Sequence, residues 1–331
     1  MKSAIALDQP ASSIAERIAR SPPHAFFLVS AVFHYLGPAF AVLLFAYVAP
    51  LGVAWLRIAS AAVIFAVWRK PWRLWFTLDR SSRYTVIALG IVLAAMNSIF
   101  YLAIARLPLS TVGAIEFLGP IALAAVGMRT LRNFGALSLA AAGVYVLTDI
   151  RIIHEPLGFV FAFANCAFFI LYVVLGHRIA RASDVAGSAP VSSLAPAAPV
   201  TTAAALRAHG EPAVEQPPVR WSGIDRLALS MLIAAIAAAP IGFLDAAPAF
   251  EKPTLLAAAI GVGLSSSVIP YVCDQLAMAR LSRSAFALLL SLLPATATVV
   301  GAVVLHQIPN VRELVGIGLV VIGVAIHRER T

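Results

Sequence analysis

The chain has 331 residues, 61% of them apolar and 12% charged, against about half and about a quarter in an ordinary soluble domain. A soluble enzyme of this size needs a charged skin that this composition does not supply, so the apolar surface must lie in lipid. The formal charge of +9 raises nucleic-acid binding as a function, and its distribution along the chain excludes that reading.

Residues 1–24 carry Lys2, Arg17 and Arg20 but no short apolar core followed by a cleavage site, which predicts a cytoplasmic tail and no signal peptide. Apolar stretches of about 20 residues, the length of a bilayer span, follow near 25–47, 52–68, 84–105, 110–128 and 134–150. The turn signal Ala49-Pro50-Leu51-Gly52 separates the first two. A second set lies near 157–177, 226–246, 254–276, 284–304 and 311–327. The expected fold is an all-α membrane protein of ten transmembrane helices. Between the sixth and seventh spans, 181–223 is rich in Ala, Pro, Ser and Val and reads as a flexible cytoplasmic linker. Residues 328–331 form a short cytoplasmic tail.

Positive charge in short loops sets orientation. With both termini in the cytoplasm, 19 of the 24 Lys and Arg fall on the inner side and three, Arg106, Arg151 and Lys252, on the outer; Arg57 and Arg312 belong to helices. The basic excess is thus an orientation signal for a multi-pass protein of the bacterial inner membrane, and no nucleic acid is needed to explain it. Cys166 and Cys273 sit far apart in apolar runs and suggest neither a disulfide framework nor a metal site. The seven histidines contain no pair at i, i+4, and no HExxH, GxSxG or Walker A pattern occurs. No metal, cofactor or enzymatic activity is expected.

Residues 101–127 align without gaps to 275–301, with ten of 27 positions identical at an offset of 174. Ala105-Arg106-Leu107 falls on Ala279-Arg280-Leu281, Pro120 on Pro294 and Gly127 on Gly301. Past six extra residues around His306 to Asn310 the offset becomes 180, and Arg132 and Gly143 fall on Arg312 and Gly323. Residues 25–150 and 157–327, the latter interrupted by the linker, are therefore expected to be two five-helix repeats. Five is odd, so the second copy must be inverted, the arrangement in which secondary transporters build a central site and alternate its access.

Several segments together resemble the drug/metabolite transporter superfamily with two EamA-type repeats, and within it the threonine/homoserine exporters of the RhtA type. They are Trp55-Leu56-Arg57, Glu116-Phe117-Leu118-Gly119-Pro120, Ala164-Asn165-Cys166-Ala167 through Tyr172, Ser266-Ser267-Val268-Ile269-Pro270-Tyr271 and Ser291-Leu292-Leu293-Pro294-Ala295. The resemblance implies a ten-helix inner-membrane carrier exporting small amino acids or related metabolites. This chain departs from it at Leu293, where the exporters typically have Glu, and at Leu305-His306-Gln307, where a Leu-Gly-Glu turn is usual.

Charge inside the hydrocarbon region is costly and marks functional candidates. Glu116 and Arg57 lie at comparable depth from the outer side, where opposite charges can meet. Glu116 reads as the group that receives an ammonium or carries a coupling proton. Arg57 reads as a carboxylate holder, or alternatively as a structural ion-pair partner or a cation snorkelling to the interface. Pro120, Pro270 and Pro294 each remove a donor, freeing the carbonyls of Glu116, Ser266 and Leu290. Broken helices in corresponding places of two inverted halves point to a midplane site.

Asp274 is expected in a solvated ion pair with Arg280 in preference to a binding role. His34, Tyr35, Asn97, Tyr101, Asn165 and Tyr271 are candidates to line a polar path. Gly316, Gly318 and Gly323 suit close helix packing, and Trp68, Trp72 and Trp75 an interfacial belt. The function these readings predict is proton-coupled export of a small amino acid or related metabolite by alternating access. Export of drugs or cationic metabolites is the alternative, ahead of a channel or an intramembrane enzyme.

Overall fold

The computed structural model describes residues 23–119, 122, 130–148, 155–187, 223–278 and 293–326. Residues 1–22, Pro120, most of 181–223, Arg280, Ser291-Leu292 and the C-terminal tail lie outside them. The described residues form helices joined by short turns, with no strand among them.

The first three predicted spans are α1 (Pro23–Leu44), α2 (Pro50–Arg69) and α4 (Arg80–Ile104), with the short α3 (Trp72–Trp75) on the loop between the last two. The stretch expected as the fourth contains α5 (Leu109–Glu116), and that expected as the fifth contains α6 (Leu131–Thr148). The second set comprises α7 (Pro156–Gly187), α8 (Gly223–Gly242), the short α9 (Ala247–Glu251), α10 (Pro253–Gly263), α11 (Ile269–Met278), α12 (Leu293–Leu305) and α13 (Val311–Ile326). Among the described residues, six stretches are long and apolar enough to cross a bilayer: Ala25–Leu44, Pro50–Arg69, Arg80–Ile104, Pro156–Gly176, Gly223–Gly242 and Pro253–Asp274. One boundary differs from expectation. The sixth helix runs past residue 177 to at least Gly187, so the linker's first residues continue the helix, which the Ala and Arg residues of 178–183 favour.

Local chemistry accounts for the ends of these helices. Proline occupies the first turn of α2, α9 and α10, where its missing N–H would be unpaired anyway. Asp79 caps α4 by accepting from the backbone N–H groups of Ser81 and Ser82. Its bonds to Ser82 and Ser81 hold the Asp79 carboxyl below the ordinary carboxylate range. Asn310 and Glu313 form a reciprocal capping box at α13, with backbone N–H to side-chain distances of 3.0 and 2.9 Å. Before it, His306 adopts φ 55°, the left-handed conformation that the glycine of a Leu-Gly-Glu turn supplies without strain. The turn brings Gln307 back to α5, where its Oε1 accepts from the Leu109 N–H at 3.1 Å. Pro108 offers no side-chain cap there.

Helix α6 packs along α13, α2 along α8, and α5 against α12; α4 lies on α7 and α8, while α1 lies on α11 and α12. A Cβ added at Gly143 would stand 2.6 Å from the Gly316 carbonyl oxygen and 2.9 Å from the Val320 nitrogen. One added at Gly323 would stand 2.8 Å from the Ala136 oxygen and 3.0 Å from the Ala140 nitrogen. The second set of contacts is the first with partners exchanged at the offset of 180 read from the sequence. Gly318 differs from expectation, since nothing among the described residues approaches its Cβ position within 4 Å. Gly143→Val should therefore destabilise the protein by about 2 kcal/mol, the scale of an overpacked core, and Gly318→Ala should be nearly neutral. Unfolding in mild detergent checks both.

An ion pair ties the two sets together at one end: Arg69 Nε donates to Asp225 Oδ1 at 2.6 Å, joining the C-terminus of α2 to the first turn of α8.

Candidate functional site

Between Gly263 and Ile269 the eighth span is not a regular α-helix. Residues Leu264–Val268 form a π-helical turn immediately before Pro270, a distortion that leaves backbone groups free for other partners. Gly37 of α1 and Gly263 let neighbouring helices close on this turn. A Cβ on Gly37 would collide with Ser266, and one on Gly263 with Ser60 and the Arg57 carbonyl of α2.

The Ser266 carbonyl freed by Pro270 accepts from Arg57 Nη2 at 2.9 Å. The Ser267 hydroxyl accepts from Arg57 Nε at the same distance. Arg57 is buried, at 5% exposure, and its guanidinium lies 5.5 Å from the Tyr101 ring centroid. Among the described residues no carboxylate forms an ion pair with it.

Glu116 is equally buried, at 4% exposure. Its Oε1 accepts from Asn165 Nδ2 of α7 at 3.1 Å, while Oε2 has no hydrogen-bond partner among the described residues. Gly119, one turn on, explains how α7 comes so near: a Cβ there would stand 2.7 Å from Ile170 and 3.2 Å from Cys166 Sγ. Arg57 and Glu116 do not pair with one another directly. The structural ion pair that is one alternative for Arg57 is not formed among the described residues, because the arginine directs two of its nitrogens to the broken helix.

The other candidates divide. Tyr35 is fully buried and crosses from α1 to α5, its hydroxyl 3.0 Å from where a Gly113 Cβ would be. His34, half-buried beside it, meets the Tyr35 ring edge-on at 5.2 Å and feels the Arg57 charge. Tyr271 is buried near Asn97 and lies 6.3 Å from the Tyr172 ring, while Asn97 Nδ2 donates to the Leu93 carbonyl of its own helix at 2.7 Å. Pro294 opens α12, and Thr298 returns a bond to its carbonyl at 2.9 Å. Asp274 has its expected ion-pair partner, Arg280, outside the described residues. It is partly buried, and the Ser30 hydroxyl of α1 donates to its Oδ1 at 2.5 Å.

Sequence reasoning did not single out Ser266, Ser267 or Ser30 as partners of charge. The signal for the first two was present, since a serine run directly before Pro270 supplies both a freed carbonyl and a hydroxyl. The crevice of about 280 Å³ between α2 and α10, lined by Trp55, Leu56, Phe250 and Ile260 among others, is apolar and offers no comparable chemistry.

The apolar helices and the buried polar cluster between them define a multi-pass membrane protein. Residues 212–327 match the EamA-like transporter family. Over 288 residues the chain is 29% identical to the threonine/homoserine exporter RhtA of Escherichia coli (strain K12), covering 86% of this chain and 84% of that protein. It is 30% identical over 274 residues to the threonine/homoserine exporter RhtA of Salmonella typhimurium (strain LT2), covering 82% and 79%. The chain belongs to the EamA-like transporters of the drug/metabolite transporter superfamily and is RhtA-like.

Proposed function

We propose that this protein is a secondary active transporter of the bacterial inner membrane that exports small amino acids of the threonine or homoserine kind by alternating access, in exchange for protons. The observation that carries this reading is a pair of buried opposite charges, Glu116 and Arg57, each bound to neutral groups and not to the other. Direct pairing would neutralise both. Held apart, they complement the two ends of a zwitterion, with the ammonium at Glu116 and the carboxylate at Arg57. Desolvating a lone charge is expensive, so a ligand that offsets both charges at once is favoured over one that offsets either.

The reading includes ten spans in two inverted repeats, 25–150 and 157–327, with both termini cytoplasmic. Its support is the offset alignment and a pairing of helices that is unchanged when the first five spans exchange with the second five. Under that exchange α6 on α13 and α2 on α8 each map onto themselves, and α1 on α11 maps onto α7 on α4. The break at Pro270 supplies a hinge near the site.

The alternative, export of cationic drugs or metabolites, draws on the aromatic groups Tyr35 and Phe117 beside the Glu116 carboxylate. The positive charge of Arg57 weighs against it, because a cation gains nothing there and is repelled. Expression in a sensitive bacterium distinguishes the two. The expected result is growth in inhibitory threonine or homoserine with unchanged sensitivity to toxic cationic dyes; resistance to dyes alone would favour the alternative.

A further inference from the structure

Three buried oxygen atoms near Glu116 have no hydrogen-bond partner among the described residues: Glu116 Oε2, Asn165 Oδ1 and the Tyr35 hydroxyl. Asn165 and Tyr35 are both fully buried. An unmet acceptor in such a place costs about 1–3 kcal/mol, so three around one carboxylate are unfavourable unless something fills them. The orientation of Asn165 is set by its neighbour, because turning the amide over would bring its oxygen against the carboxylate. With Nδ2 donating to Glu116 Oε1, Oδ1 is left beside the carboxylate as a second acceptor. The Tyr35 hydroxyl stands over Gly113, one turn before Glu116 on the same helix, where the missing side chain leaves it room. It interacts electrostatically with the Glu116 carboxylate.

We infer that Glu116 Oε2, Asn165 Oδ1 and the Tyr35 hydroxyl form a subsite for a primary ammonium group, taking one N–H each. This deepens the proposed function and rests on it. A primary ammonium carries three N–H donors and no lone pair, which matches three acceptors. Each N-methyl group removes a donor, leaves an oxygen unpaired and needs room beside α5 and α7. The site is therefore selective for the unmethylated amine, a discrimination that a bare carboxylate among aromatic groups does not make. Tyr101, whose ring lies under Arg57, belongs to the other end of the ligand.

The test uses membrane vesicles containing the full-length protein and labelled homoserine as the transported probe. Unlabelled homoserine and its N-methyl and N,N,N-trimethyl derivatives compete for transport. The subsite predicts inhibition that weakens at each step and is at least about 30-fold weaker for the trimethyl compound, as expected for the loss of hydrogen bonds to a charged group. Asn165→Leu and Tyr35→Phe should each raise KM for homoserine and narrow the ratio between unmethylated and trimethylated competitors. Discrimination between homoserine and its carboxamide should stay unchanged in both variants. Equal competition by the trimethyl compound in the parental protein overturns the subsite while leaving amino-acid export standing. Failure of the parental protein to move any amino acid overturns both.

Discussion

Glu116→Gln should insert and accumulate like the parental protein and lose most of its export. Gln keeps the length of the side chain and an oxygen that can accept from Asn165 Nδ2, so the packing of α7 on the end of α5 is retained. It cannot hold a negative charge or carry a proton. Losing a charge-assisted bond to a buried ammonium costs about 2 kcal/mol, or about 30-fold in transport at subsaturating substrate, and proton-driven accumulation should disappear altogether. Export at the parental rate in a normally inserted Glu116→Gln protein would remove Glu116 from the mechanism.

Arg57→Ala should act on stability as well as on transport. It leaves the Ser266 carbonyl and the Ser267 hydroxyl without the donors that reach them at 2.9 Å. An abandoned buried acceptor costs about 1–3 kcal/mol, and the π-helical turn loses its tie to α2. Pro270→Ala alone should supply an N–H for which Ser266 is the natural partner four residues earlier. The double variant Arg57→Ala/Pro270→Ala should then recover part of the stability lost in the single arginine variant, a coupling of about 1 kcal/mol in a double-mutant cycle. Transport should not recover, because the proposed carboxylate contact is still missing. Strict additivity in detergent unfolding would show that Arg57 does not serve the Pro270 break.

Six of the ten expected spans were legible as helices long and apolar enough to cross a bilayer, because composition and length decide them in a lipid solvent, and prolines at 50 and 253 mark two of their starts. Glu116 and Arg57 stood out for the same reason: in so apolar a chain, each charge is conspicuous. The partners of those charges were not legible. That Arg57 turns to Ser266 and Ser267 depends on how closely Gly37 and Gly263 let three helices approach, and spacing along the sequence does not carry that geometry. The same limit applies to Asp274. Packing of α11 on α1 brings Ser30 to it across 244 positions of the chain, a contact that its sequence neighbours do not announce. Gln307 read only as a departure from a familiar turn, and its bond to the N-terminus of α5 follows from the left-handed residue before it. Local breakers and charge content survive translation from sequence to structure; pairings between distant helices require the fold.

Accumulation of labelled threonine or homoserine in everted membrane vesicles, with a proton gradient acidic inside, bears most directly on the central claim. Vesicles carrying this protein should concentrate the amino acid above its level in the medium. A protonophore should abolish the accumulation, and vesicles carrying Glu116→Gln should show none. An intact gradient with no accumulation of either amino acid, while a toxic cation is concentrated, would contradict a zwitterion held between Arg57 and Glu116.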